Sequence, residues 1–422
     1  MGAGATLASA AFAKRALADT AQRKGWNRRT LRRLHEVMEG YVARGELPGL
    51  ALALSRGGRP HTDAIGTLEL GGSERTQRDT IFRIASITKP ITAVATLMLV
   101  EDGKLTLDEP VDRLLPELAQ RRVLTRPDGP ITDTVPANRA ITPRDLLTFT
   151  WGFGLKPELL SGPAPIMQAA LDLEITASGP PEPAIAPPPD EWMRRLGTLP
   201  LMHQPGETWL YNTGSDVLGV LVARAAGCPF DEFMQERIFE PLRMHDTFFS
   251  VPPDKLHRMG ASYVVDPQTG ALQLFDRAEG GQWSSPPAFP SGAGGLCSTL
   301  DDYLAFSQML LNLGEHRGQR LLRRESVAAM TTDQLTPNQK AGASLTPGYF
   351  DTHGWGYGVA IATSDADPSE PRGAYGWMGG TGTAWLAIPS QGMTTIILTQ
   401  RALTSADPPP IFRDFWALAQ QS

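Results

Sequence analysis

The residues best suited to chemistry stand in one short run, Ser86-Ile87-Thr88-Lys89. Apolar residues recur after it at Ile91, Val94, Ala95, Met98 and Leu99, the three-and-four spacing of one buried helix face, and Asp102-Gly103 supplies a C-terminal stop. A helix is therefore predicted to start near Ser86. Pro90 agrees, because a first turn has few intrahelical bonds for proline to break. Three residues apart, Ser86 and Lys89 project from one face of that turn. A hydroxyl is a weak nucleophile at neutral pH, and an amine of lowered pKa beside it can take its proton, while the helix N-terminus favours negative charge forming nearby. The plain alternative is a solvated helix start, with Ser86 as N-cap and Lys89 as a surface charge. Against it, the chain holds only seven lysines and this single S-x-x-K, and apolar segments on both sides bury the pair between elements.

The elements that position this pair can be read along the chain. A helix with apolar Leu31, Leu34, Met38, Tyr41 and Val42 presents Arg28, Arg29, Arg32 and Arg33 as its solvated face. Gly49-Leu50-Ala51-Leu52-Ala53-Leu54-Ser55, closed by Arg56-Gly57-Gly58, reads as a buried strand turning into a return strand near His61 to Ile65. The middle of the chain is helical, interrupted by Gly179-Pro180-Pro181-Glu182-Pro183 through Pro187-Pro188-Pro189, an expected extended surface connection. From about Ser298 come a helix with Tyr303, Phe306, Met309 and Leu310, then strands at 354–362, 384–388 and 393–399, and a last helix from Ile411 to Ala419. Helix-strand-strand at one end and strands-helix at the other imply an α+β fold: one antiparallel sheet flanked by N- and C-terminal helices, with a mostly helical domain inserted. The expected division is an N-terminal extension at 1–25, a sheet domain at 26–85 and 298–422, and a helical domain at 86–297, with the cleft between them.

Composition narrows the function. A net charge of -6 over 422 residues argues against a nucleic-acid partner, whose phosphates demand a basic face. Cys228 and Cys297 are far apart, with neither disulfide-framework nor zinc spacing, which fits a reducing, cytoplasmic setting. Ala11-Phe12-Ala13 resembles a signal cleavage site but lacks a basic segment and a strong apolar core before it. No stretch reaches the roughly 18 apolar residues of a membrane helix. No cofactor or metal is expected, and the oligomeric state is left open.

Two further stretches join the first. Tyr211-Asn212-Thr213 ends a loop where an apolar helix begins, and Trp377-Met378-Gly379-Gly380 precedes the strand at 384–388. Taken in order, the three stretches resemble the motifs of the serine β-lactamase and penicillin-binding-protein superfamily, in its class C-like branch and closest to the family VIII carboxylesterases. The resemblance runs from about residue 26 to 415, and includes Pro205-Gly206-Glu207, Ser291-Gly292-Ala293-Gly294-Gly295-Leu296 and Gly354-Trp355-Gly356-Tyr357-Gly358. It implies Ser86 as nucleophile, Lys89 and Tyr211 as the base pair, and the N–H groups of Ser86 and Gly380 as the oxyanion hole. Trp377, Met378, Gly379 and Thr213 are implied as substrate-binding. The Lys89 ammonium is expected to lower the Tyr211 pKa toward neutral pH and so favour the phenolate, and glycine at 379 and 380 to let the strand approach a substrate carbonyl.

Two departures direct the reading toward esters. Thr213 stands where β-lactamases usually have Asn, and Trp377 where they have Lys. The expected activity is cleavage of short-chain carboxylic esters through a Ser86 acyl-enzyme, acting on a small-molecule ester. Hydrolysis of β-lactams, D-amino-acid peptides or amides, or acyl transfer, is the alternative within the superfamily. A non-catalytic binding protein of the same fold is the alternative outside it, against which the retention of Ser86, Lys89 and Tyr211 speaks. No G-x-S-x-G elbow or H-E-x-x-H pair is present, and His203 and His353 read as loop residues beside the motifs.

Overall fold

In the computed structural model, residues 26–155, 164–177, 179–341, 343 and 346–422 are described. The expected N-terminal extension, 1–25, with its Ala11-Phe12-Ala13 run, lies outside the described residues. The first helix, α1 (Arg28–Ala43), is capped by Asn27, whose side chain accepts from the Arg29 N–H at 3.0 Å. It buries Leu34, Met38 and Tyr41 and leaves its four arginines exposed. Strands β1 (Gly49–Arg56) and β2 (Arg59–Gly66) follow, joined at Gly57-Gly58, both at positive φ as a two-residue hairpin turn requires.

The remaining strands come from the other end of the chain: β3 (His353–Trp355), β4 (Ala360–Ala362), β5 (Tyr375–Gly379), β6 (Thr383–Ile388) and β7 (Met393–Thr399). The seven form one antiparallel sheet in the order β3-β4-β5-β6-β7-β1-β2. Residues 354–362, expected as one strand, are a hairpin, because Gly358 at φ +72 turns the chain back. Both sheet faces are buried. Leu50, Leu52 and Leu54 pack with α1 and the last helix, α5 (Pro410–Ala419), through Phe412, Phe415 and Trp416. Ala51 and Ala53 face the other way, toward the helical half.

That half is centred on α2 (Thr88–Glu101), every residue of which from Thr88 to Leu99 is buried. The expected single buried face is thus a helix enclosed all round, packed against α3 (Thr213–Ala226) on one side and near α4 (Leu300–Leu311), which lies on the inner sheet face. No described helix is long and apolar enough to cross a membrane.

Candidate active site

Ser86 sits on a strained entry to α2. Phe82-Arg83 pairs with Cys297-Ser298, and the next turn puts Ala85 at φ +44, a left-handed conformation that costs a non-glycine residue about 1–3 kcal/mol. A 3-10 turn, Ala85–Ile87, carries the serine, and the α-helix proper begins at Thr88, slightly later than the sequence suggests. Ser86 does not cap it. Its Oγ instead accepts from Lys89 Nζ at 2.8 Å, and the same ammonium or amine donates to the Ala293 carbonyl at 2.7 Å. Ser86 is half-buried and Lys89 fully buried. Burial disfavours the ammonium and lowers the Lys89 pKa to about 7, against the opposing pull of the Asp216 carboxylate.

Tyr211 reaches the pair from the other side of the helical half. The chain leaves it through Asn212 at φ +83 and ψ -72, with the Thr213 N–H on the Tyr211 carbonyl at 3.2 Å, a tight γ-turn that starts α3. The ring is packed between Phe149 and Trp209, at 5.9 and 5.7 Å between centroids, and Lys89 Nζ lies 4.7 Å from its centroid. Trp377 Nε1 donates to the Tyr211 hydroxyl at 2.7 Å. Burial pushes the phenol up to about 12, and its hydrogen bonds with Ser86 and Trp377 restrain that rise. The expected phenolate is therefore corrected: Lys89 is the group brought to neutrality, and Tyr211 keeps its proton.

Strand β5 closes the third side. A Cβ on Gly379 would stand 2.2 Å from Thr383 Oγ1 and 2.4 Å from the Ile84 carbonyl, so only glycine lets β5 lie against the turn before Ser86. Gly380 differs. A Cβ there would meet nothing within 4 Å, its carbonyl accepts from the Leu403 N–H at 2.8 Å, and its own N–H has no acceptor among the described residues. Trp377 is 9 % exposed, caged by Trp355 at 4.8 Å and Tyr349 at 6.4 Å, so its indole holds Tyr211 rather than offering an open face. Met378 belongs to the opposite sheet face and packs into the layer of the terminal helices, because successive strand residues alternate. The substrate-binding role implied for Met378 is thereby corrected. Thr213, 2 % exposed in the first turn of α3, has next to no surface for a substrate.

Several residues escaped the sequence reading. Asp216, one turn into α3, is buried and accepts from Ser291 Oγ at 2.6 Å and the Ala293 N–H at 3.1 Å. It thus fixes the backbone whose carbonyl receives Lys89, and burial raises its own pKa. Its signal was present: it is the only charged residue between Thr213 and Val222. Thr381 and Thr383 donate to the Arg83 and Ile84 carbonyls at 2.6 and 2.9 Å, tying the sheet to the Ser86 turn. The proline-rich segment is not merely a surface connection: Pro183 and Pro187 are buried, and Pro181 Cγ would lie 3.1 Å from a Cβ on Gly294, beside Ala85. His353 stacks on Tyr349 at 4.6 Å and meets Glu370 at 3.2 Å, and His203 meets Glu207 at 3.3 Å, so both stay outside the Ser86 group. Among the described residues no group of His, Cys, Asp and Glu could hold a metal ion.

A family model described as Beta-lactamase matches residues 34–414. An uncharacterized protein of Mycobacterium tuberculosis is 38 % identical over 344 residues, 80 % of this chain and 81 % of that protein. Esterase EstB of Burkholderia gladioli is 29 % identical over 396 residues, 88 % of this chain and 90 % of the esterase. Among solved structures, EstCE1, described as a hydrolase with promiscuous acyltransferase activity, superposes with a TM-score of 0.76 at 21 % identity, covering 93 % of this chain and 98 % of its own.

Proposed function

The chain belongs to the beta-lactamase family and has its fold, and from that premise we propose that it is a serine carboxylesterase of the family VIII kind, cleaving short-chain esters through an acyl-enzyme on Ser86. The observation that carries this reading is the buried Lys89 amine, lowered to about 7 and 2.8 Å from the Ser86 hydroxyl, with the Tyr211 phenol in the same hydrogen-bonded group. Neutral Lys89 takes the Ser86 proton as Oγ attacks the ester carbonyl. The oxyanion rests on the N–H groups of Ser86 and Gly380, and protonated Tyr211 passes a proton to the departing alkoxide, to be recharged from Lys89. Water then releases the acid by the reverse proton path. With Trp377 in place of a lysine, the site lacks a positive charge to hold a carboxylate, which suits a neutral ester.

The similarity to EstB supports the ester reading, and EstCE1, with its promiscuous acyltransferase activity, supports acyl transfer as a second outcome of the same acyl-enzyme. The test is a panel of chromogenic esters beside a chromogenic cephalosporin, with an added alcohol as competing acceptor. Ester turnover well above cephalosporin turnover is expected, falling by about a thousandfold or more in Ser86→Ala. Preferred cephalosporin turnover, or near wild-type ester hydrolysis by folded Ser86→Ala, overturns it.

A further inference from the structure

Arg83, three residues before Ser86, is buried with Asp276 in an ion pair that the proposed chemistry does not use; their side chains are 2 % and 4 % exposed. The guanidinium donates from Nε to Asp276 Oδ2 at 2.8 Å and from one terminal nitrogen to the same oxygen. It also donates to the Gly260 carbonyl at 2.6 Å and to the Arg277 carbonyl at 3.0 Å. The other Asp276 oxygen accepts from the Gln282 N–H at 2.8 Å. Gly281 lets this loop fold over the carboxylate, since a Cβ there would stand 2.6 Å from that oxygen and 1.9 Å from the Arg277 carbonyl. Trp283 lies with its ring centroid 5.2 Å from the guanidinium carbon and donates to the Gly295 carbonyl at 2.8 Å. The Ile84 N–H meets the Leu296 carbonyl at 3.0 Å, and Lys89 meets that of Ala293. One cage, residues 276–296, therefore grips Arg83, Ile84 and Lys89 together.

A buried ion pair is a poor source of stability, because desolvation offsets its attraction, whereas fork geometry fixes position. Position is what the next residues need, since a left-handed Ala85 persists only where its surroundings over-determine it. We infer that Arg83 is a positioning residue: its pair with Asp276 clamps the strand so that Ala85 keeps φ +44 and Ser86 Oγ stays on Lys89. Thr381 and Thr383 close the clamp from the sheet. This rests on Ser86 being the nucleophile.

The experiment reads Ser86 directly, through the rate at which a phosphonate ester labels it. Arg83→Lys keeps the charge and loses the fork, and the folded variant should be labelled about ten- to a hundredfold more slowly. Adding Ala85→Gly should return labelling to within about threefold of wild type while the melting temperature stays depressed, since glycine holds a positive φ without strain. An arginine needed only for folding would show no such rescue. Wild-type labelling by folded Arg83→Lys, or slow labelling that Ala85→Gly leaves slow, overturns the inference. If Arg83→Lys gives no folded protein, Asp276→Asn is read in the same way, with slowing of about threefold or more and the same rescue expected. Failure of both to fold makes the pair a folding element and overturns the inference as well. A wild type that is not labelled at Ser86 overturns the proposed function instead.

Discussion

At the scale of single residues, burial outweighs the opposing neighbours at two groups: an amine is driven down and a phenol driven up. Among the described residues, Asp216 is the carboxylate that opposes the fall of Lys89. Asp216→Asn keeps an acceptor for Ser291 and Ala293 but removes the negative charge, so the ammonium loses support and the Lys89 pKa falls further. Because neutral Lys89 is the proposed base, the acid limb of the kcat/KM profile should move to lower pH, with a lower plateau from the weaker base. A limb that stays in place would show that Asp216 acts only on the loop. Trp377→Phe tests the other partner. It keeps a ring in the cage but deletes the donor to Tyr211, which should raise the phenol pKa further and lower kcat by about tenfold, with little change in melting temperature. A changed preference for substrate charge with kcat intact would instead place the indole against the substrate.

At the scale of elements, adjacent glycines answer to different constraints. Gly379→Ala forces a Cβ into Thr383 and the Ile84 carbonyl, so β5 must retreat from the Ser86 turn. The expected outcome is a loss of about 1–3 kcal/mol in stability together with slower Ser86 labelling. Gly380→Ala has open space around its Cβ and should melt like wild type, so any kinetic effect there reports on room for the substrate. Equal melting temperatures for the two variants would contradict the close approach of β5. The strain before Ser86 and the γ-turn after Tyr211 show the same economy, with each functional side chain set on a short irregular turn held between regular elements.

At the scale of the molecule, the sheet divides labour between its faces. The inner face is covered by α4 and shares one apolar core with the helical half that carries Lys89 and Asp216, while the outer face is covered by α1 and α5, which Tyr41 joins through a 2.7 Å bond to Asp414. Phe415, fully buried in that outer layer, lies across the sheet from the site. Phe415→Ala should destabilise by about 3–5 kcal/mol while the protein still folded at 25 °C keeps its kcat. Thermal melts and turnover measured on the same sample check this, and a parallel loss of kcat would mean that the two layers are coupled through the sheet.

What the chain determines by itself is local. The Ser86–Lys89 contact, the Gly57-Gly58 hairpin, the stripe of α1 and the α+β order of elements all depend on residues within a turn or two of each other, or on patterns of period two and 3.6. The three motifs also announce the family. Tertiary structure decided the rest. Alternation separates Trp377 from Met378, yet only the finished sheet selects which faces Tyr211. Trp377 is a donor to a phenol because of where α3 begins. Asp216 stood in plain sight as a charge in an apolar helix, but its partners Ser291 and Ala293 come from a distant loop. The protonation order reversed for the same reason. Burial is the largest cause of both shifts, and burial is set by packing between segments far apart in the chain.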